Sequence, residues 1–226
     1  MDIYLEAGDR RVFAGAIAWP GWCRTARDET GAIEALLSYG PRYAGVMSGS
    51  GVRPAFAPPK RASSFTVRER LTGDSTTDFG APSIAPSGDA SAMRPPELRR
   101  LQAVLRATWD ALDRATETAA GVTLARGPRG GGRDLDGILA HVAGAESSYA
   151  RKIAVRSPDV TADPRASYPA LREAVLEGLA RAVTEGLPAT GPRGGAMWSA
   201  RYFVRRAAWH VLDHAWEIED RSGGSG

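Results

Sequence analysis

The chain has 226 residues, of which 43% are hydrophobic and 24% are charged, and its formal net charge is +3. This balance is typical of a folded globular protein and excludes a chain that is disordered throughout. Basic and acidic side chains are interleaved in both halves of the chain, so we expect no basic surface that follows a nucleic-acid backbone. No apolar run approaches the roughly 20 residues that a membrane-spanning helix needs, so we expect no membrane partner.

The amino terminus and the cysteine content indicate a compartment. Charged residues, among them Asp2, Glu6 and Asp9, occupy the segment where a secretory signal would need an apolar run. The single cysteine, Cys23, has no partner for an internal disulfide, which agrees with a reducing environment. We therefore expect a cytoplasmic protein.

The amino-terminal part predicts a small α+β domain in the order strand, strand, helix, strand. Residues 3–5 and 12–19 are short apolar runs separated by a turn. Residues 28–39 carry apolar side chains at spacings of three and four, which indicates an amphipathic helix. Residues 65–71 alternate with a period of two and predict the third strand.

A change in composition predicts the boundary between two domains. Gly, Ser, Asp and Pro are frequent just before and within residues 81–94, which we interpret as a linker. The first domain then covers residues 1–80, and the second covers residues 95–221. Residues 222–226 are Gly and Ser for the most part, and we expect a disordered tail there.

The second domain predicts an all-α four-helix bundle. Apolar residues recur at spacings of three and four in four segments, which are about residues 97–120, 134–154, 170–185 and 199–220. Connections of moderate length between four such helices favour a bundle.

The chain's three histidines are candidates for one divalent-metal site. His210 and His214 are four residues apart on the last helix, so their side chains share one face. His141 lies on the second helix, on the side that we expect to face the core. Neutral imidazole binds zinc, nickel or ferrous iron, and three such ligands leave a fourth position for water or a substrate atom. We expect zinc first, and the alternative is three ordinary core or surface histidines.

Three carboxylates lie near these histidines in the sequence. Glu146 is five residues after His141, where it is a candidate outer ligand or general base, and a solvated helix glutamate is the alternative. Asp213 and Glu217 flank the histidine pair, and we expect them to face solvent or to make ion pairs.

A glycine-rich loop, residues 126–133, precedes the second helix. Its amides, with Arg129 or Arg133, are candidates for holding an anionic cofactor or substrate at the positive end of that helix. A surface turn without a ligand is the alternative, because the loop lacks the Lys-Ser/Thr of a P-loop.

Aromatic side chains and the cysteine are weaker candidates. Tyr149, Trp209 and Trp216 are spaced to wall a pocket, although aromatic residues at helical spacing are commonly plain core. Cys23 is either a small buried hydrophobe or a reactive thiol that serves the metal site.

The segment around His141, residues 138–146, together with residues 208–217, resembles the DinB family. That family includes DinB-like metal-dependent hydrolases and mycothiol-dependent maleylpyruvate isomerases, with one histidine early in the second helix and an HxxxH pair in the fourth. The resemblance covers about residues 95–220. It implies a four-helix bundle with a metal centre, and a low-molecular-weight thiol such as mycothiol as a further cofactor.

The amino-terminal segment, residues 13–23 followed by residues 28–36, is similar to HicB-type antitoxin domains. In those domains a strand ends in Pro-Gly-Cys and a helix follows after an acidic turn, whereas here Trp22 stands between Gly21 and Cys23. The similarity implies a small α+β fold, and the antitoxin function is not carried over.

These observations favour a metal-dependent enzyme of the DinB-like class that acts on a small-molecule substrate. A thiol-dependent transferase or isomerase comes first, with the three-histidine centre activating a thiol or water. The alternatives are a metal-dependent hydrolase and a non-enzymatic metal- or small-ligand-binding module whose amino-terminal domain binds a protein. In a further alternative, that domain only covers the bundle and shapes its pocket. A homodimer is left open.

Overall fold

The computed structural model describes residues 1–126, 132–156, 163–191 and 194–223. Within these ranges the amino-terminal part forms a four-stranded mixed sheet with the strand order β3-β2-β1-β4. Strand β1 pairs with β2 antiparallel and with β4 parallel, and β2 pairs with β3 antiparallel. The strands are β1 (Asp2–Ala7), β2 (Val12–Ala16), β3 (Cys23–Ala26) and β4 (Thr66–Thr72).

Strand β3 is absent from the order predicted by the sequence. It has only four residues and no alternation of polar and apolar side chains, so pairing with β2 is what makes it a strand. The chain reverses between β2 and β3 at Gly21, whose φ of 90° is accessible to glycine at little cost.

Two helices connect β3 to the parallel strand β4. Helix α1 (Glu29–Ser38) begins after Asp28, whose side chain accepts a hydrogen bond from the amide of Gly31. Helix α2 (Gly40–Met47) follows directly. Parallel strands need such a crossover, and the helices cover one face of the sheet with the buried side chains of Leu36 and Tyr43.

The segment between the sheet and the long helices is folded onto both. It contains α3 (Ser75–Phe79) and a 3-10 turn (Ser87–Ala90). The buried carboxylate of Glu6 on β1 accepts hydrogen bonds from the Thr77 hydroxyl at 2.6 Å and from the Ser83 amide at 2.9 Å. These bonds hold the segment against strand β1 of the sheet.

The carboxy-terminal part has four long helices within the described residues. They enclose one apolar core with fully buried side chains such as Leu112, Ile138 and Leu179. The helices are α4 (Pro95–Thr118), α5 (Leu135–Ala150), α6 (Pro164–Thr184) and α7 (Ala200–Ser222).

The helices coincide broadly with the predicted segments. Helix α6 differs most, since it begins at Pro164 rather than near residue 170, and Pro169 lies inside it. Asp163 caps its first turn by accepting a hydrogen bond from the Arg165 amide, and a proline at the first helical position needs no hydrogen-bonded N–H. The predicted disordered tail begins too early, because Ser222 is the last residue of α7 and Gly223 caps it through a hydrogen bond to Glu219; residues 224–226 lie outside the described residues.

The sheet and the long helices share a second core. Ile3 and Leu5 of β1 belong to the same buried cluster as Val104 of α4 and Leu212 and Trp216 of α7. None of the helices in the described ranges is long and apolar enough to cross a membrane.

A buried ion pair ties the 3-10 turn, the sheet and α7 together. The Arg205 guanidinium donates two hydrogen bonds of 2.8 Å to the carboxylate of Asp89, and it also donates to the carbonyl oxygens of Ala16 and Ile17. The side chains of Arg205 and Asp89 are 7% and 3% exposed.

Candidate metal centre

The three histidines converge at the contact between α5 and α7. One ligand nitrogen from each of His141, His210 and His214 lies within 4.8 Å of the other two. Nε2 of His210 is 3.2 Å from Nε2 of His141. The ring of His214 lies 4.7 Å from that of His210 and 4.9 Å from that of His141, measured between centroids. The described residues therefore contain a group that can hold a metal ion.

The spacing of these nitrogens suits a tetrahedral ion. Bonds of about 2.0–2.1 Å to such an ion place two ligand nitrogens roughly 3.3 Å apart. The 3.2 Å between His141 and His210 is close to that distance. The other pairs need to approach by at most about 1.5 Å, because none of them exceeds 4.8 Å.

Glu217 orients the third histidine. Nδ1 of His214 lies 2.8 Å from Oε2 of Glu217, whose other oxygen accepts a hydrogen bond from Arg221 at 2.7 Å. These contacts hold the pKa of Glu217 below its usual range, the hydrogen bond to His214 having the largest effect. Since an ionised carboxylate only accepts, Nδ1 of His214 is the donor in this contact, and the neutral ring with that tautomer offers its Nε2 lone pair to a metal.

The spacing of Glu217 in the sequence is compatible with this contact to His214, but it predicted only a solvent-facing or ion-paired residue. Glu217 stands three residues after His214 and four before Arg221, so all three side chains follow one face of α7.

The environment keeps two of the histidines neutral. Burial lowers the pKa of His210 well below its usual value, and the nearby positive charge of Arg206 adds to the effect. Burial also lowers the pKa of His141. Neutral imidazole is the form that binds metals. Nδ1 of His210 is buried and has no hydrogen-bond partner among the described residues.

Aromatic side chains wall one side of the histidines. The ring of Tyr149 lies 5.7 Å from that of His210, and the ring of Trp209 lies 6.2 Å from it. Phe13 of β2 meets Trp209 edge-on at 6.0 Å, so the sheet supports this wall. Trp216 lies elsewhere, in the core shared by sheet and helices.

Glu146 lies on a different side of α5. Its buried carboxylate accepts a hydrogen bond from Nε1 of Trp109 on α4 at 2.5 Å and lies near Arg172 of α6. Burial raises the pKa of Glu146 to about 7, against the opposing effects of Trp109 and Arg172. No hydrogen bond joins it to a histidine within the described ranges.

Of the two loop arginines, Arg129 lies outside the described residues. Arg133 is exposed just before α5, at the edge of a cavity of about 750 Å³ that Arg165 and Arg221 also line. Its positive charge contributes, after burial, to the lowered pKa of both His141 and His210.

Cys23 is in the environment of a buried thiol. It is 3% exposed, and it packs with Phe13 and Trp209. The Tyr4 hydroxyl lies 3.8 Å from its sulfur. Burial raises the pKa of Cys23 to about 12, which leaves the thiol protonated near neutral pH.

Comparisons of the chain with protein-family models, with curated proteins and with solved structures find no match. The resemblances to the DinB and HicB families therefore stay hypotheses.

Proposed function

We propose that the chain is a metal-dependent enzyme of the DinB-like class. The observation that carries the proposal is the convergence of one nitrogen each from His141, His210 and His214 within 4.8 Å. The order of the four helices α4 to α7, with one histidine on the second and two on the fourth, supports the DinB-like assignment.

The proposed activity is that of a thiol-dependent transferase or isomerase. A divalent ion, zinc first, would lower the pKa of a coordinated thiol or water and so supply a nucleophile near neutral pH. The chain's own residues prepare the site: Glu217 holds the tautomer of His214, and burial keeps His141 and His210 neutral. A low-molecular-weight thiol such as mycothiol is the cofactor that the family resemblance implies.

The packing favours a structural role for the amino-terminal sheet. Phe13 supports Trp209, which borders His210, and the sheet shares a core with α4 and α7. These contacts support a sheet that shapes the site, in preference to a separate protein-binding domain.

Metal analysis of the untagged full-length chain tests the proposal. We expect one divalent ion per chain, and loss of that ion in His141→Ala and in His210→Ala. Asp213→Asn is the matched control, because Asp213 lies on α7 beside His214 but pairs with Arg24. Absence of stoichiometric metal, with unchanged stability of the histidine variants, would refute the proposal.

Cobalt-substituted protein separates the thiol-dependent reaction from hydrolysis. A sulfur-to-cobalt absorption band on addition of a small thiol supports the transferase or isomerase. Hydrolysis of esters or amides without such a band favours a metal-dependent hydrolase. The absence of both the band and the hydrolysis favours the non-enzymatic binding module.

A further inference from the structure

Arg206 lies at the border of the histidine cluster. It precedes His210 by four residues on α7, so the two side chains share a face. The Arg206 guanidinium lies 4.7 Å from the ring centre of Trp209 and 5.3 Å from that of Tyr149. Both of these rings also border His210, so they place the Arg206 cation next to the proposed metal centre.

The charge of Arg206 has no counterpart in the described part of the chain. The other three arginines of α7 are each paired with a carboxylate, whereas none pairs with Arg206 there; the pairs are Arg201 with Glu97, Arg205 with Asp89 and Arg221 with Glu217. Nη1 of Arg206 is buried, and no described residue gives it a hydrogen-bond acceptor. A buried cationic donor without an acceptor is unfavourable, and such a group calls for a partner that the described residues do not supply.

The Arg206 guanidinium is accessible to a ligand, and its neighbours restrict its conformation. The side chain as a whole is only half-buried, so part of it is accessible from outside. Contact with the rings of Tyr149 and Trp209 restricts the guanidinium, and a restricted guanidinium loses less entropy when it binds a planar or tetrahedral oxyanion.

We propose that Arg206 binds the anionic oxygen group, carboxylate or phosphate, of a small molecule whose other end is a donor atom at the histidine-held metal. This inference rests on the proposed function and adds a substrate class to it. The Cβ atoms of residues one turn apart on a helix are about 5–6 Å apart, so a short molecule in which a few bonds join the donor atom to the anionic group fits this pair.

Three thiols of similar length test the proposal on cobalt-loaded full-length protein. Mercaptopropionate carries a carboxylate, mercaptoethylphosphonate carries a phosphonate, and mercaptoethanol carries no charge. The dissociation constant of each comes from the sulfur-to-cobalt absorption. We expect the wild type to bind one anionic thiol at least about tenfold more tightly than mercaptoethanol, as a charge-assisted hydrogen bond implies. The better of the two anionic thiols distinguishes a carboxylate ligand from a phosphate ligand.

Arg206→Met should abolish this preference and leave the affinity for mercaptoethanol and the cobalt content unchanged. Arg206→Lys keeps the charge, and it should lose part of the preference because it lacks the fork. If Arg206→Met does not fold, the comparison of Arg206→Lys with wild type tests the inference. Arg106→Met, at an exposed position on α4, is the control that should behave as wild type.

Other outcomes overturn the inference. An absence of preference in the wild type, or a preference that persists in Arg206→Met, refutes the role of Arg206. A preference lost in Arg133→Met alone assigns the anion to the loop arginine instead. Failure of the wild type to load cobalt refutes the metal centre itself and therefore both proposals.

Discussion

Nδ1 of His214 donates a hydrogen bond of 2.8 Å to Oε2 of Glu217, less than one helical turn further along α7. Arg221 donates to the other oxygen of the same carboxylate and anchors it. Nδ1 of His214 is thereby occupied, so Nε2 is the nitrogen of this ring that remains for a metal ion. A carboxylate in this position raises the basicity of a ligating imidazole as well as fixing its orientation.

Replacing Glu217 by glutamine should weaken metal binding by about tenfold to a hundredfold, because the amide orients and polarises His214 less effectively. Competition with a chromophoric chelator measures the affinity. The control is Asp213→Asn, one residue before His214, whose carboxylate pairs with Arg24 at 3.0 Å. Equal affinities of Glu217→Gln and wild type would contradict the orienting role.

The ion pair of Arg205 and Asp89 predicts a large effect on stability. Arg205→Met should lower the free energy of unfolding by about 3–5 kcal/mol, because it leaves the buried carboxylate of Asp89 without its partner. Urea unfolding followed by circular dichroism measures the loss. The double variant Arg205→Met/Asp89→Asn should recover part of it, since no uncompensated charge remains.

A surface ion pair provides the comparison. Arg181 and Glu177 on α6 are 52% and 62% exposed, so Arg181→Met should change the free energy of unfolding by less than about 1 kcal/mol. Similar effects of Arg181→Met and Arg205→Met would show that burial of the Asp89 pair does not matter.

Glu146 predicts a dependence of stability on pH. Burial raises the pKa of Glu146 from 4.5 to about 7 in the folded chain, so the folded state holds this proton more tightly than the unfolded state. The resulting stabilisation is complete below about pH 4.5 and is lost as the pH rises through about 7. Its full size is about 3 kcal/mol, at 1.36 kcal/mol for each pKa unit.

Glutamine at position 146 cannot ionise and still accepts the hydrogen bond from Trp109. The stability of Glu146→Gln relative to wild type should therefore increase as the pH is raised from about 5 to about 8. Urea unfolding at several pH values measures the difference. Glu173→Gln, at an exposed position on α6, should show no such trend, and a difference that is independent of pH in Glu146→Gln would contradict the raised pKa.

Periodicity predicted the helices well because each buries one apolar face along its length. The same signal failed for β3, whose four residues show no pattern and become a strand by pairing with β2. It also could not predict α3, whose five residues depend on the Asp74 capping box, or the 3-10 turn, which Arg205 holds through Asp89.

The candidate site also has a part that local spacing predicts and a part that depends on the packing of the helices. His210 and His214 share a face at a spacing of four, so their proximity followed from helix geometry alone. The approach of His141 depends on how α5 packs against α7, which spacing along the chain does not determine. In the fold its ring lies 5.1 Å from that of His210 and 4.9 Å from that of His214, measured between centroids. Glu146, only five residues after His141, packs against Trp109 instead, because that spacing carries a side chain to another face of α5.

By itself the sequence determined the local features: helical faces, turns, and a pair of imidazoles one turn apart, all set by interactions between residues close in the chain. Only the tertiary structure decided which faces meet. It brought His141 to the pair on α7 and Phe13 of the sheet against Trp209 at the wall of the site. Among the residues that the structure describes, it also left Nη1 of Arg206 without a hydrogen-bond acceptor beside that wall, because contacts between distant segments depend on packing that no local spacing encodes.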